Sequence, residues 1–200
     1  MFLKENLINS IVINKSEFIT YLYKCNSEEE YKTIQAELKK KHYDATHVCS
    51  ACVCSGVVRS NDDGEPSGTA GVPILTVLQR TNMENTAAFV VRYFGGIKLG
   101  AGGLIRAYSG CVADSLKLAK KQIKTEMYTY TLVVDYETDN KIYNQLLKSS
   151  YKIEKEYDLS VKYTILSKGD IKDKIIEVTK NRYESFEELA KSEVFEDVIE

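Results

Sequence analysis

At 200 residues the chain has room for one large domain or two small ones. With 44% apolar and 28% charged residues it falls outside the disordered and low-complexity classes, and a formal charge of −2 excludes a general attraction to nucleic acid or acidic membranes. The charge is uneven: residues 1–113 carry 12 Lys/Arg against 11 Asp/Glu and residues 114–200 carry 15 against 18, so an anion site belongs to the first part.

The opening MFLKENLINS has acids and amides where a signal peptide has a basic start and an apolar run, and no apolar stretch approaches a bilayer span. Five cysteines without secretion signals read as reduced thiols in the cytoplasm. Residues 7–25 hold two strand-like segments, INSIVIN and EFITYLYKC. Ser27-Glu28-Glu29-Glu30 is a capping box, Tyr31, Ile34 and Leu38 recur at helical spacing, and Lys39, Lys40 and Lys41 suit a helix C-terminus. HVCSACVCSGVVR (47–59) reads as a buried strand or hairpin. SNDDGEPSGTAGVP (60–73) is dense in turn formers and predicts a loop, followed by a helical turn or two at 74–79. TAAFVVRY (86–93) predicts a strand, and after the glycines LIRAYSGCVADSLKLAKK predicts a helix with Leu104, Tyr108, Cys111, Ser115 and Leu118 on one face.

Beyond about residue 122 glycine nearly vanishes and Tyr, Lys and Glu become common, which places a boundary between a domain at 1–122 and one at 123–200. YTYTLVVDY (128–136) alternates as a strand, with Tyr128, Tyr130 and Tyr136 in register with Leu132 and Val134 on the core side. Ile142, Tyr143, Leu146 and Leu147 mark a helix, YKIEKEY and VKYTIL a hairpin, and KDKIIEVTK a second helix. With a last strand near the C-terminus, this is the ferredoxin-like plan. The RRM shares that plan, but VKYTIL lacks its Lys/Arg-Gly-aromatic signature.

Five of the chain's 11 glycines fall within 95–104, directly before the predicted helix. A glycine loop at a helix N-terminus presents unpaired N–H groups and the positive dipole end to one point, which suits an anion. Arg92, Lys98 and Arg106 reinforce it, and between Asn85 and Ala113 there is no acidic residue. The expected phosphate-binding set is Arg92, Gly95, Gly96, Lys98, Gly100, Gly102, Gly103 and Arg106; the other reading is that these glycines serve packing and the cations are solvated. The Walker A pattern fails because Lys98 precedes Leu99-Gly100, and a dinucleotide fingerprint fails because Ile105 stands where it needs Gly. Asp62, Asp63 and Glu65, with Ser67 and Thr69 close behind, could hold Mg²⁺ beside a phosphate, or could cap N–H groups and pair with Arg92 or Arg106. His47, Cys49, Cys52 and Cys54 do not make a zinc site, since alternation on a strand turns Cys52 and Cys54 away from His47 and Cys49. No GxSxG elbow exists. No catalytic residue, metal site or cofactor is assigned.

DDGEPSGTAGVPIL at 62–75 with VRYFGGIKLGAGGLIRAYSG at 91–110 resembles the signature of the IMPACT/YigZ family, and DATHVCSA at 44–51 and KSEFI at 15–19 are similar to its upstream motifs. Val72 departs from the basic residue of many relatives. The resemblance implies an α+β protein: an N-terminal α/β sandwich similar to elongation factor G domain IV and its ribosomal-protein and GHMP-kinase relatives, then a ferredoxin-like domain similar to elongation factor G domain V. It also implies a non-enzymatic cytoplasmic role linked to translation, with RNA, the ribosome or a translation-regulatory protein as partner, and no membrane. Eukaryotic members act with an additional RWD domain; the resemblance begins almost at the first residue here, so that mechanism is not carried over. The alternative is a small-molecule enzyme acting on a phosphorylated substrate with Mg²⁺ on the 62–65 loop.

Overall fold

The computed structural model describes residues 1–198 and divides into two units: Met1–Ile123 with the residues from Asp197, and Lys124–Glu196. The last two positions of the expected second domain, 199 and 200, lie outside the described residues.

In the first unit, strands β2 (Leu7–Ile13), β3 (Ser16–Lys24), β6 (Thr86–Tyr93), β4 (His47–Cys54) and β5 (Val57–Asn61) form an antiparallel sheet in the order β2-β3-β6-β4-β5. Helix α1 (Glu28–Lys41) covers one face. It starts where Ser27 Oγ accepts from the Glu30 amide, and the Glu30 carboxylate reaches back to the Asn26 amide, so two N–H groups that a helix start leaves unpaired are satisfied. Helices α2 (Gly71–Arg80) and α3 (Gly100–Leu118) cover the other face. Alternation along the strands sorts the two cores. Phe18, Leu22, Cys49, Ala88 and Val90 face α2 and α3, whereas Tyr21, Cys52, Cys54, Phe89 and Val91 face α1. A short strand β1 (Phe2–Leu3) pairs with the beginning of β7 (Lys121–Val134).

The second unit runs from β7 through α4 (Tyr136–Leu147), β8 (Lys152–Tyr157), β9 (Val161–Lys168) and α5 (Lys172–Thr179) to β10 (Ser185–Asp197), with sheet order β10-β7-β9-β8. Tyr128, Tyr130, Leu132 and Val134 pack with Val161, Tyr163 and Ile165 against Ile142, Leu146, Ile175 and Val178 of the helices. Thr129, Thr131, Lys162 and Thr164 alternate onto the opposite face, so the buried tyrosines of β7 and β9 are not a base-stacking platform.

Three expectations are corrected. Leu118, placed on the buried face of α3, is 63% exposed, and Leu116 is buried instead. Tyr136 does not continue the strand: Asp135 accepts from the Thr138 amide and caps α4, leaving Tyr136 in its first turn and exposed. The segment at 74–79 belongs to a ten-residue helix that already starts at Gly71, for a reason that lies in the neighbouring loop.

Candidate functional site

The acidic loop is engaged in building the fold. Asp62 Oδ1 accepts from the amides of Ala70 and Gly71 at 3.0 and 2.8 Å, and Oδ2 accepts from Gly68 at 2.8 Å. One carboxylate therefore satisfies the start of α2 from outside the helix, which local sequence alone does not announce. Burial alone would raise the Asp62 carboxyl, but the three amide donors outweigh it and hold it below the ordinary carboxylate value. A carboxyl depressed in the folded state contributes stability that is present above the unfolded value of about 3.9 and lost as pH falls through the depressed folded value. Asp62→Asn is accordingly expected to lower stability at pH 7 by about 1–2 kcal/mol and to flatten the acid limb below about pH 4. Urea midpoints from pH 2.5 to 7 check this, and an acid limb as steep as wild type would refute the assignment.

Asp63 joins α1 and β4 to the loop: it accepts from the Val48 amide at 2.7 Å and from Lys39 Nζ, while its carbonyl oxygen takes His47 Nδ1 at 2.8 Å. Thr69, buried, donates to the Pro66 carbonyl, and Ser67 stays exposed. Among the described residues no cluster of three His, Cys, Asp or Glu side chains is placed to hold a metal ion, so Asp62, Asp63 and Glu65 do not converge as Mg²⁺ ligands.

Glu65 is turned inward and is only 7% exposed. Its Oε1 accepts from Arg92 Nη1 at 2.6 Å and from the Tyr108 hydroxyl at 2.7 Å. Arg92, expected among the phosphate contacts, is itself buried; its guanidinium lies between the Phe18 and Phe94 rings, 5.5 and 5.4 Å from their centroids, and its Nε has no acceptor. Burial, then the neighbouring Cys49 thiol and Glu65 carboxylate, pushes the Tyr108 phenol far above its ordinary value and keeps it a donor. Cys49 gives its thiol hydrogen to the Asp62 carbonyl, and burial pushes it up to about 12, so it is no nucleophile.

The glycines divide likewise. Gly95 has its amide on Ser16 Oγ, and a Cβ there would stand 1.9 Å from the Lys15 carbonyl oxygen; it is a packing residue. Gly100, at φ +71, turns the chain into α3 with open space beside it. The residue before it, Leu99, offers no side-chain cap, and the amides of Gly100, Ala101 and Gly102 have no acceptor among the described residues. All three residues are exposed. Lys98 is exposed beside them. Arg106, one turn further on, folds back until Nη1 lies 3.6 Å from where a Gly102 Cβ would stand. Of the expected set, Lys98, Gly100, Gly102 and Arg106 thus meet at one uncapped helix end, with Gly96 exposed in the preceding loop and Gly103 packed against the Leu99 side chain.

Behind this end lies a cavity of about 310 Å³ bounded by Thr46, His47, Glu65 and Arg92 on one side and by Phe94, Lys98, Gly100, Ala101 and Leu104 on the other. The sequence offered His47 as a metal ligand or as the base of a Cys–His pair, both of which strand alternation disfavours, and did not single out Phe94 and Leu104 as lining residues. A signal for His47 was available in the alternation that groups it with Cys49, because it sits directly across from Arg92 on β6.

The profile described as the Impact N-terminal domain matches residues 14–116. The IMPACT family member YvyE of Bacillus subtilis is 45% identical over 154 residues, covering 74% of this chain and 70% of that protein. The IMPACT family member YigZ of Escherichia coli is 36% identical over 181 residues, covering 80% of this chain and 89% of that protein. A solved structure described as that of an hypothetical protein matches 94% of this chain and 95% of its own at 32% identity, with a TM-score of 0.60.

Proposed function

Because the chain belongs to the IMPACT family, we propose that it is a non-enzymatic cytoplasmic factor in the control of translation that binds the phosphate backbone of RNA, free or in the ribosome, at the N-terminus of α3. The observation that carries this reading is the exposed, uncapped helix end at 100–102 flanked by Lys98 and Arg106. No acidic residue lies between Asn85 and Ala113 to oppose an anion there. Among the described residues no helix is long and apolar enough to cross a membrane. The fold belongs to the same proposal. The first unit is read as an elongation factor G domain IV relative, and the second, with its order β10-β7-β9-β8 on a βαββαβ chain, as a ferredoxin-like relative of domain V. In this reading Arg92 and Glu65 support the site from inside.

With two cations and three amides facing the anion and an overall charge of −2, binding is weak and salt-sensitive. For the double variant Lys98→Glu/Arg106→Glu, affinity for structured RNA at low salt is expected to fall at least about tenfold, and the slope of log K against log salt to shrink by about 1–2. Fluorescence anisotropy across a salt series, with co-sedimentation on ribosomes alongside, measures both. Wild type that binds nothing at low salt, or a double variant indistinguishable from it, would overturn the reading.

A further inference from the structure

Resting on that reading of the α3 N-terminus, we propose that the cavity behind it seats one unpaired nucleotide bearing an exocyclic amino group, with its phosphate on the helix end and its amino nitrogen between Glu65 and His47. The floor of the cavity is polar and half satisfied. Glu65 Oε1 already takes two donors, whereas Oε2 takes none among the described residues and stands 3.8 Å from His47 Nε2. His47 Nδ1 faces the Asp63 carbonyl oxygen, which can only accept, so Nδ1 carries the proton and Nε2 of the neutral ring is an acceptor. The cavity floor therefore offers two acceptors 3.8 Å apart. A single nitrogen with two protons, about 2.9 Å from each, bridges them. Arg92, 5% exposed, lines the same floor with its Nε unpaired, a second sign that the polar groups here are not closed upon themselves.

Above the floor the walls are apolar. Phe94 presents a ring that is 45% exposed, and Leu99, Leu104 and Pro66 complete the enclosure. At the mouth stand the unpaired amides of Gly100 and Ala101 and the ammonium of Lys98. From inside outward the ligand must therefore offer a two-proton nitrogen, a flat apolar body and an anion. Adenine, cytosine and guanine nucleotides have that sequence of groups, while uracil has no amino group. A paired base has its Watson–Crick edge already engaged and is held in the stack, so the fitting nucleotide is unpaired. A volume of about 310 Å³ suits one such unit and no more.

The test titrates the full chain with AMP, CMP, GMP and UMP by calorimetry, and with adenine or uracil homopolymer strands and an RNA duplex by anisotropy. Amino-bearing nucleotides are expected to bind at least about tenfold more tightly than UMP. Glu65→Gln, which puts a donor where the carboxylate accepts, is expected to erase the preference. Ala101→Trp, at an exposed position on the mouth, is expected to block binding and decides the matter if Glu65→Gln does not fold. UMP binding as well as CMP, or a folded Glu65→Gln variant that keeps the preference, overturns the proposal. RNA bound with a salt dependence but no base preference also overturns it and leaves the backbone reading standing. Mononucleotide preference with no RNA binding at low salt upholds the cavity and identifies free nucleotide as its occupant, at the expense of the RNA reading.

Discussion

Replacing Glu65 by Ala is expected to destabilise the first unit by about 3–5 kcal/mol, because it leaves a buried guanidinium with no counter-charge. Arg92 is held in place: the Phe18 and Phe94 rings flank it, and among the described residues Nη1 has only Glu65 Oε1, at 2.6 Å. The Tyr108 hydroxyl loses its acceptor in the same step. Urea unfolding followed by circular dichroism reads the change, with Ser67→Ala, exposed two residues away, as the control expected to stay within about 0.5 kcal/mol. A further comparison isolates the charge: the double variant Glu65→Met/Arg92→Met, which removes both charges and keeps the volume, is expected to recover most of the loss. A single Glu65→Ala variant that loses less than about 1 kcal/mol would mean that Arg92 has another partner.

The second large effect is expected at Gly95. A methyl group there would stand 1.9 and 2.0 Å from the Lys15 carbonyl oxygen and carbon and 2.5 Å from the Ser16 nitrogen. All three are backbone atoms of the turn between β2 and β3, where Asn14 and Lys15 already hold φ +46 and +65, so no flexible side chain can yield. Gly95→Ala is expected to destabilise by about 3 kcal/mol through forced displacement of that turn. Gly96→Ala meets no atom within 4 Å and bears only the strain of φ +86, about 1 kcal/mol. Thermal unfolding of the pair separates crowding from backbone strain. Equal losses would show that the close approach at Gly95 relaxes freely.

Local signals in this chain were legible wherever the physics is local. The capping box at Ser27 to Glu30 marks the start of α1, because N–H groups and their caps lie within four residues of each other. The separation of Cys52 and Cys54 from Cys49 follows from the two-residue period of a strand. The glycine loop leading into a helix could be read from composition and spacing, and so could its lack of acidic neighbours. Of the expectations that failed, Tyr136 turned on a local signal, the Asp135 cap three residues from Thr138, and the other two depend on packing or a partner elsewhere. Leu118 fits the period but points off the face that Leu116 and Ala119 bury at the end of α3. The start of α2 depends on a carboxylate nine residues upstream.

The roles of the charged residues divide along the same line. By itself the sequence determined that a glycine-rich helix start would stand beside Lys98 and Arg106, since all of these are neighbours in the chain. Only the tertiary structure decided that Arg92 and Glu65 would face each other instead of solvent. Their partners come from separate elements, with Glu65 and Arg92 27 residues apart and Glu65 and Tyr108 43. Burial is set by what packs above a residue, and an arginine on a strand reads the same in sequence whether a helix covers it or water does.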